Sequence, residues 1–326
     1  MLAPGRRGIW LPRSRPARHE IPRLSGLFDI QVNGFAGVDF QGAPSRAEVR
    51  HACERLHAHG MTRILATFIT DTPDALTRSL AAFEALRDAD PLIGATIVGY
   101  HLEGPYLSAE PGYRGAHPGE LMKDPHSAEF ARWQDAAGGA IRLVTLAPER
   151  AGAIEFIAEI TQRSVRVSLG HTNASEPTID EAIRAGATLC THLGNGCPAE
   201  LPRHDNIIQR LLARDELIAC FIPDGIHLPP AVLRNLIRAK PPGKVLLTTN
   251  AMAAAGAPPG RYRLGALEMD VGVDRVVRMP GAKNFAGSAL TLDAGVANAA
   301  KWLGLPPAAA VAFASSVPAR AVGFAG

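Results

Sequence analysis

The sequence predicts a closed α/β barrel, a (β/α)8 barrel of the TIM-like kind, from three observations. Eight short runs rich in apolar and β-branched residues recur along the 326-residue chain, at residues 27–32, 62–68, 95–102, 141–146, 165–169, 187–192, 217–222 and 244–249. Stretches of helical length, with apolar residues every three or four positions, lie between several of them. No glycine-rich phosphate-binding fingerprint follows any run, which counts against the doubly wound sheet, the other fold with this alternation.

The elements follow in order. Residues 27–32 form the first strand. Residues 46–59 set Val49, Ala52, Leu56 and His59 at helical spacing before the second strand, and residues 73–87 do the same with Leu76, Leu80, Phe83 and Leu86 before the third. Residues 104–135, after the third strand, read as a long loop region. A helix over residues 154–162 joins the fourth and fifth strands. The next, over 176–185, has Ser175 as its cap and Pro177 in its first turn. A helix over 231–239 leads to the eighth strand. Residues 253–286 read as a second long loop with a small hairpin over 271–278, and helical pieces near 289–303, 307–315 and 318–322 close the barrel. Long loops after barrel strands typically carry substrate contacts or lids.

Composition narrows the function classes. Apolar residues are 47% and charged residues 20%, as in a folded, soluble chain. The net charge of +3 owes much to Arg6, Arg7, Arg13, Arg15 and Arg18. This arm has no aromatic platform, so it reads as a solvated terminus and not as a nucleic-acid surface. No apolar run approaches the ~18 residues of a membrane span, and no secretory apolar segment follows the first arginines. Cys53, Cys190, Cys197 and Cys220 form no CxxC pair. The expectation is a cytoplasmic protein with free thiols, a small-molecule substrate, and no nucleic-acid or membrane partner.

The chemistry concentrates where strands end. Glu103 ends the third strand, His171 follows the fifth and His192 ends the sixth. By strict alternation Val167, Leu169 and His171 share one face, as do Thr188, Cys190 and His192. On that reading the carboxylate and two imidazoles converge at the C-terminal mouth, where barrel enzymes hold their active sites, and Cys190 lies deeper on the same face as core. One histidine at a strand end is ordinarily a hydrogen-bonded structural residue. Two imidazoles and a carboxylate meeting at one mouth make the ligand set of a catalytic zinc or iron site.

Seven segments, in order along the chain, carry a resemblance: 27–34, His101-Leu102-Glu103-Gly104-Pro105-Tyr106, Gly115-Ala116-His117-Pro118, Gly170-His171-Thr172, 187–195, Asp224-Gly225-Ile226-His227 and 248–256. The chain resembles, from about residue 27 to its end, the N-acetylglucosamine-6-phosphate deacetylases, a family of the amidohydrolase superfamily of metal-dependent barrel enzymes. The resemblance implies that Glu103, His171 and His192 hold a divalent metal, zinc with iron as the alternative. Asp29-Ile30-Gln31 stands where many amidohydrolases carry a second pair of ligands, and glutamine is a poor ligand, so one tight metal is expected. The resemblance also implies that His117 and His227 contact the sugar and the acetamido carbonyl, and that either can steady the oxyanion. For His227 the other reading is a histidine capping the following helix. Asn195, Gly196 and an Arg203 reaching across a homodimer interface would take the 6-phosphate, unless Asp205 pairs with Arg203 and neutralises it. The implied reaction is deacetylation of an N-acetyl amino sugar, with another N-acyl or cyclic-amide hydrolase, or a non-catalytic metal-dependent sugar binder, as the alternatives.

Two departures qualify the resemblance. The family's eighth strand ends in an aspartate that acts as base and then as acid; here the residue is Asn250, which lacks a proton-accepting carboxylate. A site that binds metal and ligand but turns over slowly is expected. The family also builds a small β-sandwich from both termini. Here the reading is an arm or remnant over residues 1–26 and a barrel over 27–326, with the sandwich largely absent.

Overall fold

In the computed structural model, residues 26–281 and 285–324 are described. Most of the arm expected over residues 1–26 lies outside them. The barrel is present, and its eight parallel strands are hydrogen-bonded in sequence order. They are β1 (Leu27–Val32), β2 (Met61–Ile69), β3 (Ile97–Glu103), β4 (Ile141–Leu146), β5 (Arg166–Leu169), β6 (Leu189–Cys190), β7 (Ile218–Phe221) and β8 (Val245–Leu247).

The seam between β1 and β8 is closed differently at its two ends. At the mouth, Val32 bridges Ala251 in parallel, and the Asn33 amide donates to the Ala251 carbonyl at 2.7 Å. At the base, Phe28 and Leu247 donate to the carbonyls of Ala314 and Phe313, both at 2.8 Å, so the C-terminal chain stands in for a strand pairing. Between these ends the buried Asp29 carboxylate accepts from the Thr248 hydroxyl and from the hydroxyl and amide of Thr249. Burial raises the pKa of Asp29 against these hydrogen bonds. Asp29 is committed to the seam and is not part of the ligand cluster described below.

The helices form where the spacing places them. Arg46–Ala58 starts in a full capping box between Ser45 and Glu48 and buries Val49, Ala52 and Leu56. Pro73–Ala89 buries Leu76, Leu80 and Phe83, and Glu176–Ala185 is capped by Ser175. Ala153–Thr161 and Pro230–Ala239 complete the expected set between strands.

Several expected boundaries move. Residues 95–96 belong to a short helix, Pro91–Thr96, because Asp90 caps it and proline opens it. The stretch read as a loop over 104–135 contains a helix, Ser127–Ala136, and a 3-10 turn, Gly119–Leu121. In place of one small hairpin, residues 260–278 form a three-stranded antiparallel sheet, β9 (Gly260–Leu264), β10 (Leu267–Val271) and β11 (Val277–Arg278). Its Leu264, Met269, Val271 and Val277 pack with Met252 and Ile69, which docks this sheet at the barrel mouth. The last helices are Leu292–Leu303, Pro307–Ala312 and Ser316–Ala321. Among the described residues no helix is long and apolar enough to cross a membrane.

The barrel has two apolar layers. Phe68, Tyr100, Val144, Val167, Leu169 and Cys190 pack outward with the surrounding helices. Leu65, Leu143, Leu189, Cys220 and Leu246 pack with Val317 and Ala321 of the last helix. Above this second layer the interior turns polar. His101 donates from Nδ1 to the Ile30 carbonyl at 3.1 Å, which leaves Nε2 to accept from Thr145 at 2.8 Å. Thr145 meets Thr191 at 2.7 Å, and Thr191 meets Ser168 at 2.5 Å. These bonds link β4, β5 and the end of β6 across the interior.

That arrangement corrects the face assignment made from alternation. Ser168 and Thr191 point into the barrel, so Val167, Leu169 and Cys190 point outward and Cys190 is not on the ligand face. His171 and His192 reach the mouth for another reason. Strands β5 and β6 stop before them, and both residues take left-handed backbone, φ 51° and 29°. The turn swings each ring inward where a continued strand would have sent it out.

Candidate metal centre and amide-hydrolase site

Glu103 ends β3 on the same face as His101, pointing into the mouth. Its Oε1 lies 3.0 Å from His192 Nε2 and 3.3 Å from His171 Nε2. One ligand atom from each of the three residues lies within 4.8 Å of the others, and all three side chains are buried. The structure thus brings together the expected ligand set.

The donors fit a cation on electrostatic grounds. His171 Nδ1 donates to the Tyr113 carbonyl at 2.8 Å, so its Nε2 carries a lone pair toward the cluster. Burial lowers the pKa of His192, which favours the neutral ring. Burial alone would raise the pKa of Glu103, but the hydrogen bonds and charges of His171 and His192 outweigh it and hold the carboxyl well below its usual range. A buried carboxylate whose two nearest side-chain partners are imidazole nitrogens, at 3.0 and 3.3 Å, has room for a compensating positive charge.

A cavity of about 490 Å³ opens beside the cluster, lined among others by Asn33, His117, Asn195, His227, Asn250 and Phe285. His117 lies against His171 with ring centroids 4.7 Å apart, and its Nε2 is 4.0 Å from Glu103 Oε2. Burial drives its pKa down to about 3, so it acts as a neutral hydrogen-bonding ring, held through Nδ1 by the Thr70 hydroxyl at 2.9 Å. His227 follows a turn in which Asp224 Oδ1 accepts from the amides of Ile226 and His227, both at 2.8 Å. Asp224 Oδ2 accepts from His227 Nδ1 at 2.6 Å. This is an anchored ring in the cavity wall and not a helix cap; the following helix begins at Pro230 with Pro229 as its N-cap.

Asn195 and Gly196 line the same cavity. Gly196 has φ +63°, and a Cβ there would stand 3.0 Å from His171 Nδ1 and 3.2 Å from the His192 ring, so glycine lets this loop rest on both rings without backbone strain or displacement of either. Arg203 is exposed and is not among the residues lining its own chain's cavity. The pairing that would neutralise it does not form, because Asp205 is taken by Arg210 at 2.6 Å.

Asn250 lies at the mouth with φ 51°, a conformation asparagine tolerates better than most residues. Its orientation is set by Asn33, which sequence reasoning placed in a matching segment but gave no role. Asn33 Nδ2 donates to the Ala251 carbonyl at 3.2 Å and to Asn250 Oδ1 at 2.8 Å. A backbone carbonyl only accepts, so its contact identifies the Asn33 nitrogen, and the atom of Asn250 facing that nitrogen is its oxygen. The Asn250 oxygen thereby accepts from Asn33, and its NH2 is turned away from Asn33. Phe285 was also missed; it lies with its ring 5.3 Å from that of His227. A lone phenylalanine in a loop carries no sequence signal of a site.

Comparisons with known proteins agree with this geometry. Residues 24–326 match the amidohydrolase family. An N-acetylglucosamine-6-phosphate deacetylase of Danio rerio is 36% identical over 311 residues, 91% of this chain and 74% of its own length. An N-acetylgalactosamine-6-phosphate deacetylase of Escherichia coli is 33% identical, over 90% of this chain and 76% of its own. The structure of a Mycobacterium smegmatis N-acetyl-D-glucosamine-6-phosphate deacetylase, an Asp-to-Ala mutant in complex with N-acetyl-D-glucosamine-6-phosphate, superposes with a TM-score of 0.84 at 36% identity, covering 92% of this chain and 78% of that one. The chain belongs to the amidohydrolase family and, within it, to the N-acetylglucosamine-6-phosphate deacetylases.

Proposed function

We propose that this chain removes the acetyl group from an N-acetyl amino sugar 6-phosphate, N-acetylglucosamine 6-phosphate first, in a metal-dependent reaction slowed by Asn250. The observation that carries this reading is the Glu103–His171–His192 cluster at the edge of a cavity that also holds His117, His227 and Asn195. These three residues would hold one divalent cation, zinc with iron as the alternative. Bound there, it would activate water and polarise the acetamide carbonyl.

The chain's own residues do the rest. His117, kept neutral, and His227, fixed by Asp224, contact the sugar and the acetyl oxygen. A donor aimed at the developing oxyanion contributes several kcal/mol. Asn195 and the Gly196 backbone take the 6-phosphate. Arg203 is exposed and outside its own cavity, which suits an arginine that serves the neighbouring subunit of a homodimer, where its planar guanidinium can bond two phosphate oxygens. The barrel over residues 27–326 is the catalytic unit, and the protein works in the cytoplasm.

Acetate release by the metal-loaded chain tests this reading, measured on the 6-phosphates of N-acetylglucosamine and N-acetylgalactosamine, on the unphosphorylated sugars, and on N-acyl amino acids. Faster release from the phosphorylated sugars is expected. Faster release from an N-acyl amino acid would overturn it. A second reading, a metal-dependent sugar-binding protein without turnover, is favoured by one observation, the amide at residue 250, whose oxygen accepts from Asn33 and which has no proton-accepting carboxylate. Saturable binding with no acetate release would select it.

A further inference from the structure

Residue 250 offers no proton acceptor, so the amide hydrolysis proposed above needs one elsewhere. Among the described residues, the titratable groups lining the cavity are Glu103, His117, His171, His192, Cys197 and His227. Glu103, His171 and His192 make up the ligand cluster, and His117 leans on it. The Cys197 thiol is half-buried and has no base beside it; its contact is a carbonyl, that of Gly194 at 4.0 Å. His227 differs from all of these. Its Nδ1 is bonded to the Asp224 carboxylate at 2.6 Å, and both side chains are largely buried, at 8% and 5% exposure. A carboxylate accepts only, so Nδ1 carries the hydrogen, and the tautomer this bond selects is the one with Nε2 bare. The Phe285 ring stands against the same imidazole, centroids 5.3 Å apart and tilted by 60°.

We propose that the Asp224–His227 pair moves the proton in this chain. The inference rests on the deacetylase reading and deepens it: with Nδ1–H held by Asp224, Nε2 has no hydrogen to donate to the acetyl oxygen, so the pair gives His227 a proton-accepting task and leaves that contact to His117. Water adds to the acetyl carbon, its O–H proton passes to His227 Nε2, and the carbonyl π pair moves onto oxygen. When that pair returns, the C–N bond breaks and His227 Nε2 gives the proton to the departing nitrogen. The products are acetic acid and the free amine, and the ring ends as it began. Asp224 is a positioning residue: it fixes the tautomer and steadies the transient imidazolium, as the acid member of a histidine–carboxylate pair does.

A double-mutant cycle separates proton transfer from contact. Turnover is measured for the metal-loaded parent, His227→Gln, Asn250→Asp and the double variant. The penalty of His227→Gln is expected to be about 10²–10⁴-fold in the parent, and at least about tenfold smaller once Asn250→Asp supplies a carboxylate. Equal penalties in both backgrounds would overturn the proposal, since a contact to the acetyl oxygen is lost equally in both. A parent no faster than His227→Gln, beside an active Asn250→Asp chain, would also overturn it. If no chain releases acetate, the deacetylase reading itself fails and takes the pair with it. Two further readouts guard against misfolding. Nitrogen-15 NMR of the metal-free chain should place the hydrogen of His227 on Nδ1 in the parent and in Asp224→Asn, which keeps an acceptor. Asp224→Ala should lose that preference. Turnover should fall in the order parent, Asp224→Asn, Asp224→Ala, and no difference among the three would overturn the role of Asp224.

Discussion

Replacing Asn250 with aspartate should raise the rate of deacetylation. The substitution exchanges NH2 for O⁻ at nearly constant shape, and aspartate also tolerates the φ of 51° found there. Asn33 Nδ2, 2.8 Å from the present Oδ1, would go on donating to that oxygen and hold the side chain in place. The second carboxylate oxygen would then stand where the NH2 stands now, free to take a proton from water and return it to the amine. General acid–base catalysis contributes about 10²–10⁴-fold, which corresponds to about 2.7–5.5 kcal/mol of barrier. Because His227 and Asp224 already supply part of this, the gain expected is near the lower end, about 10²-fold in kcat with little change in KM. The assay is initial-rate acetate release from N-acetylglucosamine 6-phosphate at equal metal content, with metal stoichiometry measured on both chains. A gain below about threefold at unchanged stoichiometry would refute the assignment of residue 250 to proton transfer.

Other expectations concern the ligands, the phosphate and the fold. Glu103→Gln removes the only carboxylate of the described ligand cluster, and stoichiometric metal binding should be lost, as equilibrium dialysis would show. Gly196→Ala adds a carbon 3.0 Å from His171 Nδ1 at a φ of +63°, and metal affinity should fall by about 10–100-fold in a competition titration with a chelator. Arg203→Ala should raise KM for the 6-phosphate and leave the unphosphorylated sugar unaffected; equal KM changes for both would exclude a phosphate contact. Burial pushes Asp39 up to about 6, against hydrogen bonds from the Gln41 and Gly265 amides. A pKa raised in the folded state favours folding below pH ~4 and loses that contribution as pH rises through ~6, about 3 kcal/mol in all. Asp39→Asn gives up one of the two accepted amide bonds at every pH, so the expected signature is the trend: its melting temperature should gain a few °C relative to the parent between pH 4 and pH 7, and a difference independent of pH would refute the raised pKa.

The barrel and the membership of the buried Glu103–His171–His192 cluster were legible because they depend on local composition. Eight apolar runs, the helix cap at Ser175 and the position of Glu103 at a strand end are properties of short segments, and the structure keeps each of them. The route of His171 and His192 to the mouth was not legible. Alternation assigned them the face of Val167, Leu169 and Cys190, which is the outer face. Their inward turn comes from left-handed backbone after strands that stop early, a strain that only the assembled mouth sustains. The closing of the seam by residues 313–314, the three-stranded sheet over the mouth and the hold of Asn33 on Asn250 likewise join parts of the chain far apart in sequence. What the sequence by itself determined is therefore the eight barrel strands and the helices with a clear apolar stripe between them, each encoded within a few neighbouring residues. Only the tertiary structure decided which way each site residue faces and which atom of Asn250 is left for the substrate, because those depend on contacts that exist once the barrel has closed.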